Sequence, residues 1–325
     1  MLTEFLAEIK SKTQETMIAW IDNSCSNNLL LGGHEAINLK DDYERALIVR
    51  LGFQSIREDW HHALDAMASI ELLDSSLLVV DDIVDESKRR KGNDSIHVKY
   101  GLKNTLILSH VLKSTSLLAL INSAKTNQLN KNEITHLLNL TETTYQNMYF
   151  GEYQDLYYEN ESFDNISLDD YLDMIKRTTG LHLGLSFSTG GLIARSTKNY
   201  QNLLWEIGVR LGIILQIRDD FIDYLDLESV TQKPAYGDFL RRKKRLPLLL
   251  AYKHYPTKIK KLFNLPFEET VKNELLSVIS DEKIKNDSNA IVSNIYSNTD
   301  QLLLNIKPSK VRIAVSEFFH LIRKL

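Results

Sequence analysis

The chain has 325 residues, 43% of them apolar, and a formal net charge of −4, so it is long enough for one large domain or two ordinary ones and gives no reason to expect nucleic acid as a partner. A single cysteine, Cys25, excludes an intramolecular disulfide framework and fits a reducing cytoplasm. The charges at Glu4, Glu8, Lys10 and Lys12 argue against a secretory signal, and no stretch reads as long and uncharged enough to be a membrane span. With only 5 Pro and 13 Gly, long helices fit better than many short strands. Residues 56–87 read as one helix, with Glu71, Asp74, Asp81, Asp82 and Asp85 set among apolar positions. A polar break from Lys88 to Asp94 follows, with Gly92 as its turn residue. Helical patterns resume at about 102–123, 131–157, 168–195 and 199–228. Ser167 and Asp170 make a capping-box start, and Gly190-Gly191 suits a place where helices approach closely. After Pro247 the pattern stays helical but becomes richer in Lys and Asn, and from about residue 255 it reads as peripheral packing. The expectation is an all-α, single-domain helical bundle over residues 1–325, without linker or internal repeat.

Two Asp-Asp-x-x-Asp segments carry the chemistry, Asp81-Asp82-Ile83-Val84-Asp85 and Asp219-Asp220-Phe221-Ile222-Asp223, each preceded by an apolar run. On a helix, positions four apart share a face, so Asp81 stacks over Asp85 and Asp219 over Asp223. Like charges at that spacing repel, and burying an unpaired carboxylate is costly, so each segment calls for cations. Clustered carboxylate oxygens suit Mg2+, which keeps several waters and takes few carboxylates plus substrate phosphates. One such segment alone would read as a solvated helix face; two in apolar settings read as a metal site framed in a bundle. The basic run Arg241-Arg242-Lys243-Lys244-Arg245 reads as a solvated or anion-facing patch.

Around these segments stand Arg90-Lys91-Gly92, Gly151-Glu152-Tyr153-Gln154-Asp155-Leu156, Gln216-Ile217-Arg218 ahead of Asp219, Lys233-Pro234, and Asp238 to Pro247 with Lys243 between them. This order and spacing resembles the trans-isoprenyl diphosphate synthases, the polyprenyl synthetase family, over roughly residues 40 to 250. The resemblance implies an isoprenoid-synthase-type bundle with a central cavity between the two Asp-rich helices. It also implies a dimer and three Mg2+ ions holding an allylic prenyl diphosphate. Asp81, Asp85 and Asp219 would be direct metal ligands, and Asp82, Asp220 and Asp223 ligands or supports behind them. Arg45, Arg90, Lys91, Gln216, Lys233 and Lys243 would contact diphosphate, whereas Lys88, Arg89 and Lys244 read as solvated loop. Ser76 and Leu77 occupy positions where bulky aromatics in the family close the floor of the prenyl cavity. Their small or aliphatic side chains imply products of twenty carbons or longer.

The departures cluster in one place. The family's Gly-Gly-Lys-Arg-x-Arg-Pro, which binds the second diphosphate, falls on Lys40-Asp41-Asp42-Tyr43-Glu44-Arg45-Ala46 or on Gly32-Gly33-His34, and of its basic residues the first placement keeps only Arg45. Asp74 stands where the family has a histidine, Thr178-Thr179 where it has Lys-Thr, Ser109-His110 where it has Gly-Asp, and Val80 where a histidine is common. Acids in a diphosphate pocket would repel it, so ionisation of the allylic substrate reads as retained and ordinary isopentenyl diphosphate binding as weakened. Three functions follow: polyprenyl diphosphate synthesis; a cyclase or prenyl transfer to another acceptor; or a regulatory subunit of an active homologue. A homodimer is expected, with a heteromer as the alternative.

Overall fold

The computed structural model describes residues 2–24, 27–40, 42–224 and 236–322. Helix dominates: the only strands among the described residues are a two-residue antiparallel pair, β1 (Arg89–Arg90) and β2 (Asn93–Asp94). The chain divides into two compact units. The first holds residues 1–143, 183–208 and 306–317, and the second residues 144–182, 209–305 and 318–325.

In the first unit, α1 (Leu2–Ser24) buries Ile9, Thr13, Met17 and Ile21, a stripe at four-residue spacing. After α2 (Asn27–Asn38) and α3 (Glu44–Gln54) comes α4 (Leu64–Val84), buried on every side from Ala66 to Ser76 and therefore the central helix of this unit. The expected helix over 56–87 is shorter than its pattern suggests. The chain turns after α3, where Ser55 Oγ donates to the Gly52 carbonyl (2.6 Å). Asp59 then caps a 3-10 turn, Trp60–Ala63, that leads into α4. At the far end Glu86 takes a left-handed φ of 51°, which closes the helix. Short α5 (Ile96–Tyr100) follows the hairpin. α6 (Leu102–Thr126) then lies along α4, where the Ser69 and Ser116 hydroxyls meet at 3.3 Å. Contrary to the expectation from sequence, α6 is long and apolar enough to cross a bilayer by length and composition. Leu108, Leu112, Ala119 and Leu120 are buried in this unit, which accounts for part of that apolarity. Gly190 lies in α9 (Leu181–Ile193), where an added Cβ would stand 2.1 Å from the Val49 carbonyl oxygen and 2.7 Å from the Phe53 nitrogen, so α3 and α9 touch backbone to backbone as the glycine pair foretold.

In the second unit, part of α7 (Lys131–Asn160) is followed by α8 (Leu168–Ile175), which starts at the expected capping box between Ser167 and Asp170. A single π-helical turn, Lys176–Gly180, continues it. α10 (Lys198–Tyr224) carries the second acidic segment into this unit. α11 (Gly237–Leu240) and α12 (Leu246–His254) follow, the latter with Pro at its first turn. The tail is more than peripheral cover. α13 (Pro256–Phe263), α14 (Glu269–Ile279) and α15 (Glu282–Leu303) bury Ile259, Leu262, Leu275, Ile279 and Ile284 around α12. The last helix is α16 (Ser309–Ile322).

Candidate active site

The first acidic segment ends α4, and the hairpin behind it turns on Lys91 (φ 50°) and Gly92 (φ 76°), the two left-handed positions a tight hairpin needs. That reversal lays Arg90 back on α4. Its Nε and Nη2 reach the two oxygens of Asp82 at 2.9 and 2.8 Å, a bidentate fork, with Asp81 Oδ2 3.4 Å from Nη2. Burial works against the Arg90 charge, but Asp82 and Asp81 outweigh it and raise the guanidinium pKa. Asp82 is buried, whereas the Asp81 side chain is 37% exposed and Asp85, at the end of α4, is partly exposed. Lys88 and Arg89 are solvent-facing, as their sequence setting implied, and Lys91 is half-buried.

One turn and more before these aspartates lies a buried ion cluster that changes the reading of the departures. Asp74 is not an uncompensated acid: it pairs with Lys40 and, at 2.8 Å, with Arg45 Nε. Lys40 also reaches Glu71 (2.9 Å) and Asp42 (3.4 Å), and Glu71 accepts the Ala46 N–H (2.7 Å). Lys40 falls on a family glycine position, so counting basic residues at the expected positions missed the cation that neutralises this region. Burial pushes the Glu71 carboxyl up to about 7 against the pull of Lys40, while Lys40 holds Asp42 well below the usual carboxylate range. Arg45, expected on diphosphate, is engaged by Asp74. Ser76 is fully buried and donates to the Leu73 carbonyl of its own helix (2.6 Å), and Leu77 is half-buried.

In the second unit the three aspartates of α10 have three different surroundings. Asp219 is 54% exposed, 4.0 Å from Arg218. Asp220 is buried: it accepts from the Tyr171 hydroxyl (2.7 Å) and from Gln216 Nε2 (2.8 Å). Gln216 is itself oriented by Thr179, which donates to its Oε1 at 2.6 Å from within the π-helical turn. Asp223 accepts the backbone N–H groups of Gly237 (3.2 Å) and Asp238 (3.1 Å), capping α11. Burial pushes both Asp220 and Asp223 up to about 7; Arg245 opposes this at Asp220, and Asp238 adds to it at Asp223. Lys233 lies outside the described residues.

The basic run is not a solvated patch, because the turn after α11 folds most of it inward. Lys243 pairs with Asp155 Oδ2 at 3.0 Å, and Arg245 Nη2 reaches the same oxygen at 2.9 Å. Burial alone would raise the Asp155 carboxyl, but Arg245 and Lys243 outweigh it and hold it below the usual range. Lys244, expected in solvent, is buried and donates to the carbonyls of Tyr158 and Glu159, both at 2.6 Å, beside the Phe263 ring; burial pushes its pKa down to about 8. Arg241 pairs with Asp238 (3.3 Å), and of the five basic residues only Arg242 is exposed. Sequence spacing gave no sign of Arg245, Tyr171 or Thr179 as parts of this network, because their partners lie far along the chain. Among the described residues no three His, Cys, Asp or Glu side chains are gathered into a ready-made ion cage.

The family model described as polyprenyl synthetase matches residues 34–279. The short chain isoprenyl diphosphate synthase of Methanocaldococcus jannaschii is 24% identical over 289 residues, 87% of this chain and 80% of that one. The geranylgeranyl diphosphate synthase of Saccharolobus solfataricus is 29% identical over 202 residues, 62% of this chain and 60% of its own length. Among solved structures, the polyprenyl synthase of Caulobacter crescentus, crystallised with calcium and isoprenyl diphosphate, superposes with a TM-score of 0.86 at 19% identity, covering 100% of this chain and 97% of that one. With three quarters of its length inside the family match, and both acidic segments included, the chain belongs to the polyprenyl synthetase family.

Proposed function

We propose that this chain is a Mg2+-dependent prenyltransferase that ionises an allylic prenyl diphosphate and adds the prenyl group to isopentenyl diphosphate, giving products of twenty carbons or longer. The observation that carries this reading is the same division of labour in both acidic segments. Each keeps one carboxylate toward solvent, Asp81 and Asp219, and locks its neighbour, Asp82 or Asp220, onto protein donors. Hard cations that keep most of their water and take their other ligands from substrate phosphate suit such sparse oxygen sets, with Asp81 and Asp85 as protein ligands at the first segment and Asp219 at the second. When bound, Mg2+ neutralises the charge that grows on the departing diphosphate. The protein's own groups do the rest. Arg90 and Gln216 hold Asp82 and Asp220 so that the outward carboxylates are fixed, and Lys91 and Lys233 supply positive charge to the leaving group, whereas Lys243 is taken up by Asp155. Ser76 and Leu77 leave room for a long chain. We further propose that the chain forms a homodimer, because α6 leaves Leu102, Leu106, Ile107 and Leu118 exposed. Light scattering on a size-exclusion column would show a single-chain mass if this is wrong.

A second reading, a cyclase or transfer to another acceptor, draws on one observation: Arg45 is already paired with Asp74. One experiment separates the two. The purified protein is incubated with Mg2+ and geranyl, farnesyl or geranylgeranyl diphosphate, with and without isopentenyl diphosphate, and pyrophosphate and extracted products are followed. Release that requires isopentenyl diphosphate supports elongation. Release without it favours the second reading, and full activity in excess chelator would sink both.

A further inference from the structure

The acids gathered on Lys40 are not equally held. Glu71 and Asp74 are buried: Lys40 and Arg45 grip Asp74, while Lys40 and the Ala46 N–H hold Glu71. Asp42 is different. It lies on the link between α2 and α3, its side chain is 48% exposed, and among the described residues its one ion pair is the 3.4 Å contact with Lys40. Arg45 and Lys91 also act on this carboxylate through space, and with Lys40 they hold it ionised. The other charges that reach the cluster are Glu44, which acts on Arg45 from the start of α3, and Arg90, which feels Asp74 besides its own partners Asp82 and Asp81. Asp42 is thus a half-exposed anion beside three bases. It can leave without stranding a buried charge, because Lys40 keeps Asp74 and Glu71.

We propose that Asp42 is a specificity-determining residue for the acceptor: its carboxylate occupies the place beside Lys40, Arg45 and Lys91 that the diphosphate of isopentenyl diphosphate would take, so that the acceptor binds only by displacing it. Arginine suits such an exchange, since Arg45 gives Asp74 its Nε and the guanidinium fork carries further N–H donors for phosphate oxygens. The position suits it too. Asp74 lies seven residues before Asp81 on α4, about 10 Å along the helix, a span that a five-carbon acceptor can bridge toward the metal-binding end. A diphosphate arriving while Asp42 is in place meets a like charge as well as the bases, and that repulsion weakens its binding. The alternative is that Asp42 is only a third acid on Lys40, with no bearing on the acceptor.

The inference rests on the reading that isopentenyl diphosphate is the acceptor, and the test keeps the two apart. Isopentenyl diphosphate alone is titrated into the full-length protein by calorimetry. Initial rates of pyrophosphate release with Mg2+ and farnesyl diphosphate then give KM for each substrate. Asp42→Asn should bind isopentenyl diphosphate about tenfold more tightly, the scale of one pKa unit, and lower its KM by a similar factor. KM for farnesyl diphosphate should stay within about twofold, well short of that scale. Asp42→Glu keeps the charge and should behave as wild type. Glu44→Gln removes a charge two residues away and should also leave acceptor affinity within about twofold. Unchanged or weaker acceptor binding in Asp42→Asn, a gain in Asp42→Glu, or an equal gain in Glu44→Gln overturns the proposal while leaving the elongation reading intact. If Asp42→Asn does not fold, Asp42→Ser takes its place with the same expectations. Pyrophosphate release that depends on isopentenyl diphosphate in neither the wild type nor Asp42→Asn would overturn the elongation reading and this inference with it.

Discussion

Asp81 and Asp82 are neighbours in sequence with opposite surroundings, as are Asp219 and Asp220, and the difference sets what their removal does. Alanine at Asp81 or Asp219 removes an outward carboxylate from a site of mutual repulsion. Turnover should be lost while the melting temperature holds or rises slightly. Alanine at Asp82 instead breaks the buried bidentate pair with Arg90, at a cost of about 3–5 kcal/mol, and alanine at Asp220 leaves the Tyr171 hydroxyl and the Gln216 amide without their acceptor, at about 1–3 kcal/mol each. Those variants should lose stability as well as activity. Thermal melts beside pyrophosphate-release rates check this, and equal melting temperatures across all four variants would contradict the assignment of inward and outward roles. The motif's i, i+4 spacing was legible in the sequence. Which aspartate would turn inward was not, because that depends on Arg90 returning through a hairpin and on Tyr171 arriving from α8.

At the scale of elements, the long helices, the Ser167 cap and the close approach at Gly190 could be read directly, since each rests on local periodicity or on a residue type with one use. The misjudged parts are places where a local pattern and its tertiary setting disagree. Residues 56–63 carry no Gly or Pro and so read as helix, but they end in a 3-10 turn, Trp60–Ala63, capped by Asp59, and a run of five basic residues looks solvated until the turn after α11 folds most of it inward. α4 illustrates the same tension at Ser76. Ser76 lies two turns beyond Ser69, on the face that meets Ser116 of α6, so a small residue there is equally a packing choice. Leu77 is half-buried and separates the possibilities. If these positions form the floor of the prenyl cavity, Leu77→Phe and Ser76→Phe should both shorten the product. Only Ser76→Phe should also lower stability, by about 1–3 kcal/mol for overpacking a filled site. Mass analysis of extracted products with paired melts checks it; unchanged chain length in Leu77→Phe would move the floor elsewhere.

At the scale of the molecule, a modest net charge of −4 conceals buried ionic clusters among the described residues, around Lys40, around Arg90 and around Arg245. The sequence showed the acids of all three but concealed the pairing. For that reason the region around Asp74 read as degraded when it is internally compensated. These clusters give the metal-free protein a particular dependence of stability on pH. Asp42 and Asp155 are held below the ordinary range by Lys40 and by Arg245 with Lys243, so their contribution is present above the unfolded carboxylate value of about 3.9 and is lost as pH falls through their folded values. Glu71, Asp220 and Asp223 act in the opposite sense. Burial raises each to about 7, so the folded protein binds protons that the unfolded chain releases, and their contribution is full below the unfolded values of about 4 and fades as pH rises through 7. The two groups together place the stability maximum of the metal-free protein well on the acid side of neutrality, at about pH 4, where the two windows meet. Thermal melts in chelator from about pH 2 to about pH 9 should show melting temperature rising as pH falls from about 8 to about 4 and then dropping. Asp155→Asn should blunt the acid drop and leave the limb above about pH 4 unchanged. A maximum at or above pH 7 would mean that the buried carboxyls are ionised in the folded protein, and that the cations beside them outweigh the cost of burial.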